Sequence, residues 1–571
     1  MDVIAGNPLT MPVGMRKWAT LPVLSLALAI VIIDSSLLNI SLATLIGELH
    51  TTLQSLQWVM SGYALVLAAL TVTGGRLGDL FGRKRTFRLG ALLFAAGSFL
   101  ASISSSVPML FAGESVIEGI GAAMMMPAAV ALLVTKYRGH DRAIAFGIWG
   151  GVVAVASAVG PILGGFLTTH FSWRWGFRIN VFVVAILLLG SYVIYDEPVV
   201  TRKRLDLPGV GLSALGLFLL VFGIIEAPSH GWLFAFAPFK IAGQPISSCS
   251  LSIVPFATLL GVAILGAFLL LERRVERRGG TPIVSSRILG NRGFLAGASL
   301  IGLTVLGQAG LILPLLVFVQ SVRSLDPLHT GLTLLPLSIV LGVVSPAAAA
   351  LARTVPHRWL VQCGLIINFI ALLITREAVG VQKPLIALVP GLALYGLGMG
   401  LVQSQVNNLT LSSVPVADAG EASGIINTFR QIGSALGTAI IGSVLLTAVA
   451  MNLQASMDSS RGLPSRMSKR IGIQLHEQSS HLIFGTKHAF EGFPPTERKV
   501  LISTLPAATL DASRKAFLYA ASFVLFALMA STQLPLWAPV ETIKRSGASE
   551  PPHLAPRPHL VADGVEMGKS E

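Results

Sequence analysis

Charge is what this sequence has least of. Asp, Glu, Lys and Arg together make up 12% of its 571 residues, about half the share expected of an average soluble protein. Two cysteines, Cys249 and Cys363, lie on separate segments and suggest neither a disulfide framework nor a metal site. No Gly-x-x-x-x-Gly-Lys-Ser/Thr run occurs, so ATP as the driving force is not expected. No cleavable leader is evident, because the first apolar stretch follows Arg16-Lys17 and is long enough to span a bilayer. Acidic residues are outnumbered, 27 against 41 basic ones. The excess positive charge sits in short clusters between apolar runs, where topology signals belong, which argues against a nucleic-acid partner.

What is abundant is apolar. Hydrophobic residues form 53% of the chain and the mean hydropathy is +0.75. One aqueous core cannot bury so much apolar surface, so the lipid bilayer must act as the solvent. The 58 glycines suit helices that approach one another closely in lipid. Runs long enough for membrane helices fall at 18–41, 57–76, 87–106, 109–133, 143–168, 178–195, 208–227, 251–271, 294–320, 330–352, 357–375, 384–409, 421–450 and 515–538. The expected fold is therefore an all-α membrane protein of fourteen spans.

Orientation follows from the basic residues. Arg83-Lys84-Arg85, Lys136 with Arg138 and Arg142, Arg202-Lys203-Arg204, and Arg273-Arg274 with Arg277-Arg278 all fall in even-to-odd loops. The positive-inside rule then places both termini in the cytoplasm of an inner or plasma membrane protein. The weak repeat of Gly75 to Lys84 in Ala349 to Arg358, and of Ala145 to Gly147 in Ala422 to Gly424, has an offset of about 275 residues. This divides the chain into a cytoplasmic N-terminus (1–17), a six-helix bundle (18–195) and two inserted spans with flanking loops (196–293). A second six-helix bundle (294–538) carries a long external loop at 451–513, and a tail rich in Pro, Gly and Ser (539–571) has the composition of a disordered segment.

Four stretches carry chemistry. Gly75-Arg76-Leu77-Gly78-Asp79-Leu80-Phe81-Gly82-Arg83-Lys84-Arg85 is a glycine-permitted turn whose Asp79 can pair with Arg83 or a helix N-terminus and break that pair when the halves rock. Gly160-Pro161-Ile162-Leu163-Gly164-Gly165 kinks span 5 and thins its surface for a close neighbour. Phe171 to Asn180 sets indoles and arginines at the entry to span 6, as an interface demands. Asp34-Ser35-Ser36-Leu37-Leu38-Asn39 places a carboxylate inside span 1.

These stretches, with Ala419-Gly420-Glu421-Ala422-Ser423-Gly424 and Asn427-Thr428-Phe429-Arg430-Gln431, resemble the fourteen-span drug:proton antiporters of the major facilitator superfamily, the EmrB/QacA-like branch. The resemblance runs from about residue 18 to 450 and returns at the last span. It implies a two-bundle facilitator fold, not an enzyme, with alternating access and proton-coupled export of amphipathic or cationic small molecules (multidrug efflux and drug resistance). It makes Gly75, Asp79, Gly82 and Arg83 the gating loop and Gly160, Pro161, Gly164 and Gly165 the antiporter motif. The implied partners are substrate, protons and lipid, with room for a periplasmic adaptor. No cofactor beyond the proton gradient and no metal is implied. A metabolite exporter or symporter on the same fold is one alternative, and a non-transporting sensor or scaffold is another.

The chain departs from that family at two places. Ser115 stands where the span-4 motif has an arginine, and Phe182 where a proline follows the Ile-Asn pair. What span 4 holds instead is Glu114 and Glu118, which an α-helix would put on one face. By helix rise Glu118 lies roughly 14 Å, and Asp34 about 10 Å, below the outer surface. A carboxylate in the membrane costs about 2.5–3.5 kcal/mol on insertion scales and therefore tends to face a cavity. Asp34, Glu118 and Glu114 are thus the proton-coupling candidates, with Glu114 alternatively reaching the outer interface. Arg430 is either a counter-charge to them or part of a cytoplasmic-side structural pair.

Overall fold

The computed structural model describes residues 18–137, 139–194, 206–231, 233–234, 240–241, 244–245, 251–278, 280, 282, 284–352, 354–414, 419–459 and 495–535. A long helix lies over each of the fourteen predicted spans. The first six are α1 (Thr20–Ile40), α2 (Leu53–Phe81), α3 (Arg83–Ser102), α4, α5 (Gly139–His170) and α6 (Arg174–Gly190). α4 comprises Val107–Leu110, a π-helical stretch Phe111–Glu118, and Gly119–Lys136. Two inserted helices follow, α7 (Leu207–His230) and α8 (Ile253–Arg277). Between them Lys240–Ile241 and Gln244–Pro245 form a short antiparallel pair, with an isolated antiparallel bridge between Phe234 and Leu251.

The second set is α9 (Arg292–Val317), α10 (Pro327–Thr333 continued by Leu335–Leu351), α11 (His357–Ala378), α12 (Val389–Ser412), α13 (Ala419–Ser459) and α14 (Pro495–Ser531). Among the described residues ten helices are long and apolar enough to cross a membrane, and eleven if the two parts of α10, bent by 40°, count as one span. α3 carries Arg83, Lys84, Arg85 and Arg88 in its first turns, while the apolar stretches of α2 and α7 are short.

Local chemistry fixes where these helices begin. Thr52, Asp206, Ser252, Asn291 and Asp326 each accept a hydrogen bond from a backbone N–H two or three residues on, at α2, α7, α8, α9 and α10 respectively. Such caps satisfy donors that the helix itself leaves unpaired. At the α2–α3 turn Gly82 has φ 99°, a left-handed conformation that strains any residue with a Cβ, and its N–H bonds back to Gly78. The basic turn is pinned to the end of α6: Lys84 donates to the Ile194 carbonyl, and Arg88 Nε donates to Ser191 Oγ at 2.7 Å.

Large apolar side chains point outward along these helices, among them Phe99, Phe182, Leu189, Phe256, Leu259 and Val343. That is the surface of a helix bundle solvated by lipid. Inside, α1–α6 bury a core around Leu24, Phe87, Phe94 and Leu133, and α9–α14 bury another around Phe294, Leu365, Leu392 and Phe517. α7 docks on α2 and α13 through Leu217 and Val221. A further cluster joins the two sets at the end away from the basic turn, where Leu42, Leu45 and Leu56 meet Leu313, Ile441 and Val449.

Helix extends into both ends of the stretch expected as loop at 451–513. α13 continues to Ser459 and α14 begins at Pro495. Polar pairs hold these extensions together: Asn452 Nδ2 donates to Asp511 Oδ2 at 3.0 Å, and Lys515 lies 2.9 Å from the same carboxylate. Hydropathy sees only the apolar part of a helix, so helix that projects beyond the bilayer reads as loop. Residues 460–494, with the expected N-terminus, Arg202-Lys203-Arg204, Cys249 and the tail, lie outside the described residues.

Candidate functional site

A cavity of about 1000 Å³ lies between the two bundles. Its walls come from both, and they extend to Gly75, Arg83 and Thr135 at the basic-turn end. At the opposite end the halves are tied together. Gln57 Nε2 donates to the Thr438 carbonyl (3.2 Å), Gln320 Nε2 donates to the Ile40 carbonyl (2.9 Å), and the Leu328 N–H donates to Thr169 Oγ1 (3.2 Å). A lighter tie, Asn427 Nδ2 to Thr71 Oγ1 at 3.2 Å, joins α13 to α2 nearer the basic end. The molecule is thus closed at one end and hollow toward the other.

Three carboxylates meet on the first-bundle side. Asp34 on α1 and Glu114 and Glu118 on α4 each offer an oxygen within 4.8 Å of the others. All three are buried, at 0%, 1% and 0% exposure. The expectation of an ordinary α-helical i,i+4 pair is corrected here, because both glutamates ride on the π-helical stretch Phe111–Glu118. A π-turn is wider than an α-turn and is found mostly at functional sites. Glu114 does not reach the interface; it faces the cavity, and it alone of the three lines it.

Asn180 on α6 organises the cluster. Its Nδ2 donates to Asp34 Oδ1 at 2.6 Å, to Ser98 Oγ at 3.0 Å and to Glu118 Oε1 at 3.3 Å. Two hydrogens thus serve three acceptors. Asp34 Oδ2, Glu114 Oε2, Glu118 Oε2 and the Tyr63 hydroxyl are buried without a hydrogen-bond partner. An ionised carboxylate only accepts, whereas a protonated one also donates. Carboxylates this close and this buried cannot all ionise cheaply, so a proton held by one bears on the others.

The other predicted residues fall in two places. Gly160, Pro161, Gly164 and Gly165 lie where α5 crosses α1 and the start of α10. A Cβ on Gly164 would stand 2.9 Å from the Leu37 side chain, and one on Gly165 would stand 2.5 Å from the Pro327 carbonyl oxygen. The motif is therefore a contact between bundles at the closed end. Gly75 and Arg83 line the cavity at the other end, and Arg83 Nη1 donates to the Ala131 carbonyl at 3.5 Å. The Asp79 side chain lies outside the described part, so its pairing is left as an expectation.

Arg430 lines the cavity from the second bundle. It donates to Asn407 Oδ1 at 3.2 Å and forms no ion pair with a carboxylate among the described residues. Among the described residues it pairs neither with the three acids nor with any other carboxylate. Ser115, in the place of the family arginine, is buried and donates to the Val59 carbonyl at 2.7 Å. Here α2 and α4 nearly touch, since a Cβ on Gly62 would meet Phe111 at 2.5 Å and Ser115 at 3.2 Å. This packing has no room for a guanidinium.

Sequence reasoning read Asn180 as part of an interfacial stretch and passed over Ser98 and Tyr63. The available signal was a lone amide between apolar neighbours on α6, since a polar side chain inside lipid needs a partner.

Helices facing lipid, two bundles and a cavity between them make this an integral membrane transporter rather than an enzyme. The chain belongs to the Major Facilitator Superfamily, whose sequence profile it matches over residues 24–438. It is 30% identical to a "Probable actinorhodin transporter" of Streptomyces coelicolor over 80% of this chain and 77% of that protein. It is 33% identical to "Puromycin resistance protein pur8" of Streptomyces alboniger, over 77% and 84%. With "Multidrug efflux pump LfrA" of Mycolicibacterium smegmatis the identity is 28%, over 77% and 83%. These relatives place it on the drug-export branch expected from its motifs. In fold it is similar to a bacterial homologue of the human lysosomal transporter Spinster (TM-score 0.57, 15% identity, 92% of this chain and 99% of that one).

Proposed function

We propose that this protein is a proton-coupled antiporter that exports amphipathic small molecules, with fourteen spans and both termini in the cytoplasm. The observation that carries the reading is the buried Asp34–Glu114–Glu118 cluster with one member on the wall of a cavity between two bundles. Under the positive-inside orientation the hollow end faces the cytoplasm and the tied end faces out. Substrate enters the cavity from inside, the bundles rock, and the ties at Gln57, Gln320 and Leu328 open. A proton from outside then joins the carboxylate cluster and favours release. Return to the described state delivers that proton inward.

Glu114 faces the cavity, so it is the member through which substrate and proton compete. The names of the relatives, which include a puromycin resistance protein, a multidrug efflux pump and a probable actinorhodin transporter, support drug-like cargo.

Purified protein in proteoliposomes tests this. An imposed pH gradient should drive transport of an amphipathic dye, with counterflow of protons, and without ATP. Transport that survives collapse of the pH gradient by an uncoupler would sink the reading. Because the same oxygens could converge on a hard cation, the assay is run with and without Na⁺. Dependence on a Na⁺ gradient in place of a proton gradient would also refute it.

A further inference from the structure

We propose that the cavity is built for an amphoteric amphiphile, with Arg430 binding an acidic group on the substrate and Glu114 facing its basic end. The inference rests on the export reading and extends it to the chemistry of the cargo. Among the described residues only three charged groups line the cavity: Arg83 at the basic-turn end, Glu114 on the first bundle and Arg430 on the second. Glu114 belongs to the carboxylate cluster. Arg83 is at the rim and donates to a backbone carbonyl. Arg430 is the cation on the cavity's second wall, and among the described residues its hydrogen bond goes to a neutral amide oxygen.

A guanidinium carries five N–H donors and a charge that cannot be shed. Water in the cavity can solvate it. When cargo displaces that water, the cation must meet an anion or the desolvation cost falls on the complex. Among the described residues the cavity-lining neighbours of Arg430 cannot supply that anion. Gln308, Gln403, Asn407, Asn427 and Gln431, which line the same side, are all neutral. They can hold hydroxyls and carbonyls of a ligand but cancel no charge. A carboxylate or ionised phenol on the ligand fits the planar fork, and it does so in a geometry that an ester cannot match.

The remaining walls define the rest of the molecule. Leu28, Val31, Met60, Trp149 and Leu337 make an apolar surface suited to a hydrophobic body. Across it, Glu114 suits a basic or strongly donating group, which would compete with a proton there. Cargo with charge of only one sign leaves either Glu114 or Arg430 unmatched.

Rhodamine B, which carries a carboxylate and a cationic ring system, and its methyl ester, which keeps only the cation, make the test. Equilibrium binding of each is measured to the full chain in lipid nanodiscs. The zwitterion should bind about tenfold more tightly than the ester, the usual worth of one charge-assisted hydrogen-bonded contact. In Arg430→Gln that ratio should fall to about one, and in Arg430→Lys part of it should remain, since the charge persists while the fork is lost. Using a ratio removes the effect of any misfolded fraction.

An ester that binds as well as the zwitterion in the wild type, or a preference that survives Arg430→Gln, overturns the proposal. Proton-driven uptake of the two dyes into everted vesicles is measured separately. Failure of that uptake with the binding preference intact would sink the export reading while supporting Arg430 as the acid-binding group.

Discussion

At the scale of single residues the question is how a membrane interior keeps three carboxylates. Each would cost about 2.5–3.5 kcal/mol as an isolated charge in the bilayer. Here Asn180 donates into the cluster and Ser98 sits beside it, so part of the demand for hydrogen bonds is met inside the protein. Asn180→Leu keeps the volume and removes the donor. It should lower stability by about 1–3 kcal/mol, the cost of buried acceptors left unpaired, and the measurement is thermal unfolding in detergent. A variant as stable as the wild type would mean the amide is not the organiser.

The acids themselves separate by role. Asp34→Asn removes the member held most tightly by Asn180 and should abolish proton-driven transport while dye binding persists. Glu118→Gln should retain transport with an altered pH profile, because the cluster loses one of the groups that can hold the proton. The pH dependence of dye efflux for each variant and for the double checks both. Unchanged profiles in Glu118→Gln would make that residue a structural partner only.

At the scale of elements, the glycine motif on α5 decides how closely the bundles approach. Gly165 faces the start of α10, where the Asp326 cap and the 40° bend aim Pro327 and Leu328 at it. Gly165→Leu should cost the closed outer end about 1–3 kcal/mol through overpacking and shift the population toward the state open on that side. In a cysteine-free background (Cys249→Ser, Cys363→Ser), a cysteine placed at Asn39 should then react faster with an impermeant maleimide added from outside. An unaltered labelling rate would leave the motif without a role in closure. The π-helical stretch Phe111–Glu118 matters at the same scale, for it brings Glu114 to the cavity while Glu118 meets Asp34 behind it.

The whole molecule is asymmetric along its axis. Apolar contacts and cross-bundle hydrogen bonds close one end, while the cavity walls run down to the basic turn at the other. In the proposed fourteen-span arrangement both termini fall on one side, which the positive-inside rule would make the cytoplasmic one. Cysteines introduced between α13 and α14 should therefore label from outside the cell, and cysteines in the tail only after permeabilisation. Labelling of both from the same side would break the fourteen-span arrangement.

Sequence alone determined the solvent, the number and place of the long helices, the likeness to a transporter family, and the identity of the three acids. Apolar length and charge scarcity are local quantities, and a bilayer responds to them locally, so α1 to α14 could be read off in order. It misjudged the 451–513 stretch, where α13 and α14 project as polar-paired helix that hydropathy cannot register. Only the tertiary structure decided that Asp34, Glu114 and Glu118 share one site, that Asn180 holds it, and that Arg430 faces the cavity with no carboxylate partner among the described residues. Residues 34, 114, 118 and 180 come from three helices, and their meeting depends on helix rotation and on the π-turn. Both are set by packing between helices, such as the near contact of Gly62 with Phe111 and Ser115, to which no single helix's sequence gives access.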